Sequence, residues 1–564
     1  MTETPDSPRA RPDWTFLAVD ALEKVFPDER PRATAGLELR GFLRERLSAQ
    51  IAFLPPLTRD LRSVAPLKFR VEGVLASHVR LSFVEPVPVM LAAFEGHDDG
   101  YLRSSPGLYP DLLHPLEAGG SIPPAIGSWR AVWIDLEIDD PDLAGTHVLD
   151  IVVTDDRSDE LVHRLQVPVT IYPVALPDLD IVNTHWVHPD CLADYYGVTV
   201  LGEQHWQLID ACLESAAQMR VNSVLTPTWT PPLDTAVGGT RTPVQLIGIT
   251  DHGQGYEFSF DQLDRWLSLC ARHGMQNIEI AHLFTQWGAR ATPAIYVDTP
   301  SGLEQRFGWH VPATDPSYRE LLSELLPRLR EHLTAHWRGT VMFHLSDEPA
   351  ADMLEDYRRA RDVVADLLEG ATIADALSDI TFVREGVVQT PIVATDHVQP
   401  FLDSGISPWV YYCVGQDRDV ANRFIAMPSL RNRVLGRQLF SAGAPGFLHW
   451  GFNFWMTQES RRQVDPFRDT CAGGAFLAGD AFVVYPGPDG ALWPSIRHRV
   501  FAQGMDDHRA LQLLRDLTDT ATARSLIDQD GGLRYDAFSY DPEHYLRTRR
   551  EVDDRILAEI GKRT

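Results

Sequence analysis

Residues Val341–Pro349 read VMFHLSDEP. Val341 to Ser346 form a short, largely apolar run, the pattern of a strand covered on both faces, and two acids follow at its end. Seven runs of the same kind surround it: IVNTHWVH from Ile181, NSVLTPTW from Asn222, NIEIAHLF from Asn277, ATIADALSD from Ala371, PIVATDHV from Pro391, PWVYYCV from Pro408 and GFLHWGFNFW from Gly446. Amphipathic segments separate them. In EQHWQLIDACLESAAQM, Trp206, Ile209, Leu213 and Ala216 recur at helical spacing, as Leu322, Leu325, Leu326 and Leu329 do in YRELLSELLPRLREHL. In the helix predicted from Ala351, Leu354, Tyr357, Val364 and Leu368 share a face, and Gly370 stands where a C-terminal cap belongs. Eight strands, each followed by a helix, are the number that closes a parallel (β/α)8 barrel. An open doubly wound sheet is the competing architecture, but no glycine-rich phosphate loop follows the first run.

Outside the barrel the text changes character. Residues 37–54, LELRGFLRERLSAQIAFL, place apolar positions at helical spacing and predict an N-terminal helical segment. From Leu67 to Pro173, stretches such as SWRAVWIDLEI and GTHVLDIVVTD alternate apolar and polar residues between Gly, Pro and Asp, which predicts an antiparallel β-sandwich. A proline-containing joint, YPVALPDLD, separates the two units. The predicted organisation is therefore residues 1–175 as helical segment plus sandwich, and residues 176–564 as barrel. Within the latter, GDAFVVYPGPDG predicts a β-hairpin, and SIRHRVFAQGMDDHRALQLLRDL and EHYLRTRREVDDRILAEIGK predict two closing helices.

With 51 Lys and Arg against 79 Asp and Glu, the net charge is −28, a field that repels phosphate backbones and anionic lipid. Nucleic acid and membrane are accordingly not expected as partners; oligomeric state is not readable. Five scattered cysteines without a CxxC pair fit reduced thiols rather than a disulfide framework. The opening MTETPDSPRARPDW has no apolar core of a signal peptide, and no apolar run approaches the ~20 residues of a membrane helix. A cytoplasmic protein is the resulting expectation.

Barrel enzymes carry their chemistry at the C-terminal ends of the strands. That rule collects His185 and Trp186 from the first run, His282, Gln286 and Trp287 from the third, Asp347 and Glu348 from the fourth and Asp375 from the fifth. The seventh supplies Tyr411 and Tyr412, the eighth Trp450, Asn453 and Trp455. Carboxylates ringed by Trp and Tyr suit a carbohydrate, whose apolar ring faces lie on aromatic rings while polar groups fix its hydroxyls. A small glycan or glycoside is the expected partner, without a cofactor. On its own, Asp347-Glu348-Pro349 is as compatible with an exposed turn or helix start, Asp347 capping. Its placement favours function, because two acids at the end of a buried strand are costly without a role. Pro349 disfavours helix at Glu348 and predicts an extended backbone there.

Neighbouring strand residues point to opposite sides, so this pair does not readily flank one glycosidic bond at the ~5 Å of ordinary retaining enzymes. Adjacent acids suit another division of labour. Glu348 protonates the leaving oxygen, Asp347 holds the N–H of a 2-acetamido group, and the acetamido oxygen attacks the anomeric carbon.

The segments NTHWVHPDCLADYYGV, AHLFTQWGA, FHLSDEP, IADALSD, NRFIAMPSLRNR and GFLHWGFNFW resemble glycoside hydrolase family 123 and the related domain of unknown function 4091, over residues 180 to 515. The resemblance implies a β-N-acetylgalactosaminidase with Asp347 orienting the acetamido group and Glu348 as acid/base. A hydrolase of a related 2-acetamido sugar such as β-N-acetylglucosamine, a non-acetamido glycosidase with a nucleophile such as Asp375 or Asp396, and a non-catalytic sugar-binding barrel are the competing readings. Asp375 and Asp396 either bind hydroxyls or cap helices. Of Tyr411 and Tyr412, one should face the lumen and the other the helix layer. His185 and His188 point to opposite faces of a strand and have no second ligand pair, so no metal site is expected.

Overall fold

The computed structural model describes residues 14–58, 61–117 and 120–563. The absence of a leader, read from the opening residues, concerns a stretch that is almost wholly outside the described residues. All eight apolar runs are strands of one closed parallel barrel: Val182–His185, Ser223–Thr226, Asn277–Ile280, Thr340–Phe343, Thr372–Ala376, Thr390–Ala394, Trp409–Tyr411 and Gly446–His449. The first and last close the ring in parallel register, Val182 opposite Gly446 and His185 opposite His449. Gly446 is required there, since a Cβ would stand 2.4 Å from the Trp409 ring. Trp186, Leu225, Met342, Ala374, Ala376, Ile392, Trp409, Tyr411 and Leu448 fill the lumen. The alternate residues face the helices, so the strands read as continuous apolar runs.

The helices Glu203–Gln218, Asp261–Arg272 and Pro316–His336 cover the first half of the barrel. The last begins on a cap and proline, Asp315 accepting from the Ser317 amide at 2.9 Å with Pro316 at the first position. The helix predicted from Ala351 starts as a 3₁₀ turn and runs Leu354–Val364. Ile496–Leu517 and Pro542–Gly561 follow the hairpin Val484–Pro486/Leu492–Pro494. Sequence periodicity did not reveal a four-stranded sheet built from Gly248–Asp251, Tyr256–Ser259, Ile295–Thr299 and Gly302–Phe307, inserted after the second and third barrel strands. Among the described residues, no helix is long and apolar enough to cross a membrane.

The N-terminal unit consists of two five-stranded sheets, antiparallel except where Leu39–Leu43 pairs in parallel with Leu161–Ala175. The predicted helix over residues 37–54 is not formed. Leu39–Leu43 and Arg46–Leu54 are strands joined through Arg44 at φ 64°. Arg46–Leu54 lies between Thr15–Asp20 and Arg130–Glu137 and is buried on both faces, so both sets of alternating residues are apolar or paired. A residue set like that imitates helical spacing, and tertiary pairing overrides it.

Buried ion pairs join the two units. Arg497, from the first closing helix, grips Asp111 of the sandwich at 2.8 and 2.9 Å, and Tyr485 adds a third donor at 2.6 Å. Neither Arg497 nor Asp111 is more than 2% exposed. Removing one partner strands the other charge. Asp111→Ala should therefore lower stability by about 3–5 kcal/mol in denaturant unfolding; a change within a few tenths would show the clamp to be dispensable.

Candidate active site

The fourth strand ends at Phe343, and the next five residues carry the acids forward as a pinned loop. His344 and Leu345 accept from the Leu283 and Phe284 amides at 3.0 and 2.9 Å. The Leu345 amide donates to Asp375 at 2.8 Å, and the Ser346 hydroxyl to the Thr285 carbonyl at 2.9 Å. The Asp347 carbonyl accepts from Trp287 N–H at 2.9 Å, and Glu348 N–H donates to the Ala376 carbonyl at 3.1 Å. Glu348 takes φ 45°, a left-handed conformation rarely held by a residue with a side chain, instead of the extended backbone predicted before Pro349. Both acids have left the strand by this point, and the strand's alternation no longer separates them. Asp347 and Glu348 line the same cavity.

That cavity has a volume of about 220 Å³ and opens at the C-terminal mouth of the barrel. Trp186, Trp450 and Phe476 form aromatic wall, Tyr411 faces the acids, and Trp287 stands at the edge, 39% exposed. Tyr411 donates its hydroxyl to Glu348 Oε1 at 2.6 Å. Asp347 is half-buried and Glu348 exposed. Enclosure in the site, reinforced by the charge of Glu348, pushes the Asp347 carboxyl well above the usual range. A wider cleft of about 1440 Å³ lies between the sandwich and the outer side of helix Glu203–Gln218, away from the strand ends.

Seven residues singled out in the sequence meet here: Trp186, Gln286, Trp287, Asp347, Glu348, Tyr411 and Trp450. Gln286 spends its amide on the neighbouring loop, accepting from Asp234 N–H at 2.6 Å and donating to the Thr235 carbonyl at 3.2 Å. Six others do not reach the cavity. His185 lies in the helix layer, edge-on to Phe501. Tyr412 is fully buried against Phe447 and His449, so Tyr411 is the lumen-facing member of that pair. Asn453 clamps the backbone of His188 with bonds of 2.8 and 3.0 Å. Trp455 donates to the Val484 carbonyl and packs on Tyr195. His282 lies deeper, stacked on His344 with ring centres 4.7 Å apart. Asp375 points out of the lumen and accepts from Leu345 N–H and the Tyr357 hydroxyl.

Two acids overlooked in the sequence complete the lining, Asp234 and Asp480. Burial raises Asp480 to about 7 and Asp234 to about 6. Trp450 donates its indole N–H to Asp480 at 3.2 Å. Asp480 follows Gly479 at the start of the hairpin stretch GDAFVVYPGPDG, where Gly-Asp is a common turn pair, and Asp234 sits in a Pro- and Gly-rich loop that carries no periodicity. Among the described residues, the side chains that could converge on a metal are Asp264, His332 and His336 on the outer helices, remote from these acids in the fold.

An aromatic-walled cavity with paired carboxylates at the mouth of a (β/α)8 barrel is the arrangement of a glycoside hydrolase. The comparisons with known proteins agree. The family model described as glycoside hydrolase 123, catalytic domain, matches residues 186–514, and the chain belongs to that family. A family 123 glycoside hydrolase from Clostridium perfringens, studied for glycolipid glycan hydrolysis, has a similar fold, with TM-score 0.70, 14% identity, and coverage of 97% of this chain and 98% of that one. A putative β-galactosidase from Bacteroides fragilis aligns at TM-score 0.27 and 10% identity over 79% and 60% of the two chains, too loosely to inform the fold. No curated protein matches the chain.

Among the described residues, the Tyr411 hydroxyl is the donor that reaches Glu348 Oε1. Tyr411→Phe should therefore lower kcat about tenfold, a loss of ~1.4 kcal/mol, at the upper end of what an ordinary hydrogen bond contributes, without changing thermal stability appreciably. Unaltered kcat would show that the bond plays no part in turnover.

Proposed function

We propose that the protein removes a terminal β-linked N-acetylgalactosamine with retention of configuration, the substrate's own 2-acetamido group acting as nucleophile. The observation that carries this reading is the opening of two consecutive carboxylates, Asp347 and Glu348, onto one small cavity. At about 220 Å³ it is below the ~300 Å³ at which pockets for larger ligands begin. A single sugar ring with the remainder of the glycan outside suits that size, hence exo action. The Clostridium perfringens enzyme's work on a glycolipid glycan is in keeping with such a terminal cut.

In this scheme Glu348, steadied by Tyr411, gives its proton to the glycosidic oxygen as the bond to the anomeric carbon breaks. The acetamido oxygen attacks that carbon and forms an oxazoline. Asp347 accepts a hydrogen bond from the acetamido N–H and offsets the positive charge developing there. Glu348 then takes a proton from water, whose oxygen attacks the anomeric carbon and restores the acetamide. Trp186 and Trp450 would cover the sugar faces, and Trp287 the leaving group.

A second reading draws on Asp480, which lines the same cavity and could serve as an enzymic nucleophile for a non-acetamido hexose. Asp375, the nucleophile considered from sequence, is turned away from the cavity, towards Tyr357. Nitrophenyl glycosides separate the two. Hydrolysis of the acetamido sugars alone, with inhibition by a thiazoline analogue of the oxazoline, supports the first reading; hydrolysis of plain galactosides overturns it.

Two variants test the assigned roles. Glu348→Gln should cost about 10²–10⁴ in kcat/KM for substrates with poor leaving groups and far less for nitrophenyl glycosides, which need no acid. Equal losses on both would remove the acid role. Asp347 must be ionised to act, so the acid limb of the kcat/KM profile should lie above the ordinary aspartate range, as its raised pKa requires. Removing the neighbouring charge in Glu348→Gln should move that limb to lower pH on nitrophenyl substrates; an unmoved limb would detach it from Asp347.

A further inference from the structure

Beneath the catalytic pair the barrel lumen holds a charged group that the scheme above does not use. Glu279, on the third strand, has no exposed surface. It accepts from the Thr184 hydroxyl, from Ser223 at 2.7 Å, from the Trp186 indole at 3.0 Å and from His344 Nε2 at 2.9 Å. The other ring nitrogen of His344, Nδ1, faces Asp375 Oδ1 at 3.6 Å. Asp375 in turn holds the Leu345 amide at 2.8 Å and the Tyr357 hydroxyl. His344, Glu279 and Asp375 are all at most 1% exposed.

We propose that His344, held between Glu279 and Asp375, is a positioning residue that supplies the fixed positive charge opposing the negative field on Asp347, while Asp375 anchors the loop that carries both catalytic acids. The assignment rests on the reading of Asp347 as the group that must be ionised against the acetamido nitrogen.

The geometry sets the charge. Each ring nitrogen of His344 faces a carboxylate oxygen, and both contacts are favourable only when both nitrogens carry a proton. Burial alone would lower the histidine's pKa, but Asp375 and Glu279 raise it to about 10. A buried triad of this kind is poorly explained by stability, since apolar residues of similar volume commonly serve as well. The lumen around it is otherwise packed with Leu225, Met342, Ala374 and Ala376. Its position explains it better. Two residues separate His344 from Asp347, and the peptide between them is tied to Asp375.

The groups acting on Asp347 can be named element by element. Glu348 on its own loop, Asp375 on the fifth strand and Asp234 after the second strand all oppose its ionisation. His344 favours it. Glu279 and His282 act on His344 itself, the first through its hydrogen bond and the second by stacking as a neutral ring well below its ordinary pKa. His344 is thus the cation placed against a cluster of acids, and two substitutions have opposite signs. His344→Gln removes the favourable charge and should move the Asp347 titration, and the acid limb of kcat/KM, to higher pH. Asp375→Asn removes an opposing charge while keeping an acceptor for the Leu345 amide, and should move both to lower pH. A merely structural role would reduce kcat in both variants and leave the limb in place.

The experiment is a pH profile of the full-length wild type and both variants on nitrophenyl N-acetylgalactosaminide, with the Asp347 carboxyl followed in parallel by ¹³C NMR and assigned through Asp347→Asn. Shifts of opposite sign, with kcat falling about tenfold or more and KM changing little, are expected if charge and alignment, not substrate binding, are lost. Shifts of the same sign, or none, overturn the proposal. If the substrate is not turned over, the functional reading fails, and the carboxyl titration still decides the electrostatic role. Should His344→Gln not fold, ¹⁵N-histidine spectra of the wild type decide instead. His344 should keep both ring protons above neutral pH; titration near an ordinary histidine's value would overturn the assignment.

Discussion

Everything at the mouth of this barrel depends on how the chain leaves the fourth strand. From His344 to Glu348 the backbone is held by neighbours in the loop after the third strand, Leu283, Phe284, Thr285 and Trp287, and on the fifth strand, Asp375 and Ala376. A segment tied this completely can hold Glu348 in a left-handed conformation, which an unsupported loop would relax. That single torsion turns two consecutive acids towards one cavity. The strain is local, and the hydrogen bonds that sustain it are made by elements whose own positions are set by barrel closure.

The sandwich meets the closing helices through buried charges set within an apolar seam, in which Leu113 and Trp133 pack with Ile496 and Val500, and Phe42 and Tyr172 with Leu511 and Val552. Arg497 holds Asp111, and Arg549 holds Glu45 with bonds of 2.6 and 3.1 Å while also meeting Asp507. Arg220 bridges Glu137 of the sandwich and Asp506 of the first closing helix. Paired charges of this type favour one arrangement strongly over shifted alternatives, because any slip leaves an ion buried without its counterpart. None of the sandwich's described residues lines the cavity, and the unit fits the role of a brace for the helix layer that follows the eighth strand.

Much of this was legible in the chain itself. The eight runs without polar alternation could only be strands covered on both faces, and their number implied closure. The pair Asp347-Glu348 was found by its place at the end of a run. Tyr411 and Tyr412 show where such reasoning stops. Alternation requires that they face opposite ways, but their order in the chain does not say which enters the lumen. Residues 37–54 show another limit. A strand buried on both faces and the inward face of a helix place apolar residues alike, and only pairing with Arg130–Glu137 and Leu161–Ala175 separates the two cases.

The amino-acid sequence by itself determined the order of the eight barrel strands, the barrel class and the location of the two acids, because each follows from local periodicity and from residues adjacent in the chain. Tertiary structure alone decided which candidates reach the sugar-sized cavity. His185, Asp375 and Tyr412 were turned to the helix side by the pleat and register of strands that meet only on closure. Asp234 and Asp480, some 246 positions apart in the numbering, were brought to the same wall by loops without a periodic signal. The physical reason is that a side chain's neighbours along the chain fix its local conformation, whereas its burial, charge state and company depend on strands and loops that only the closed barrel brings together.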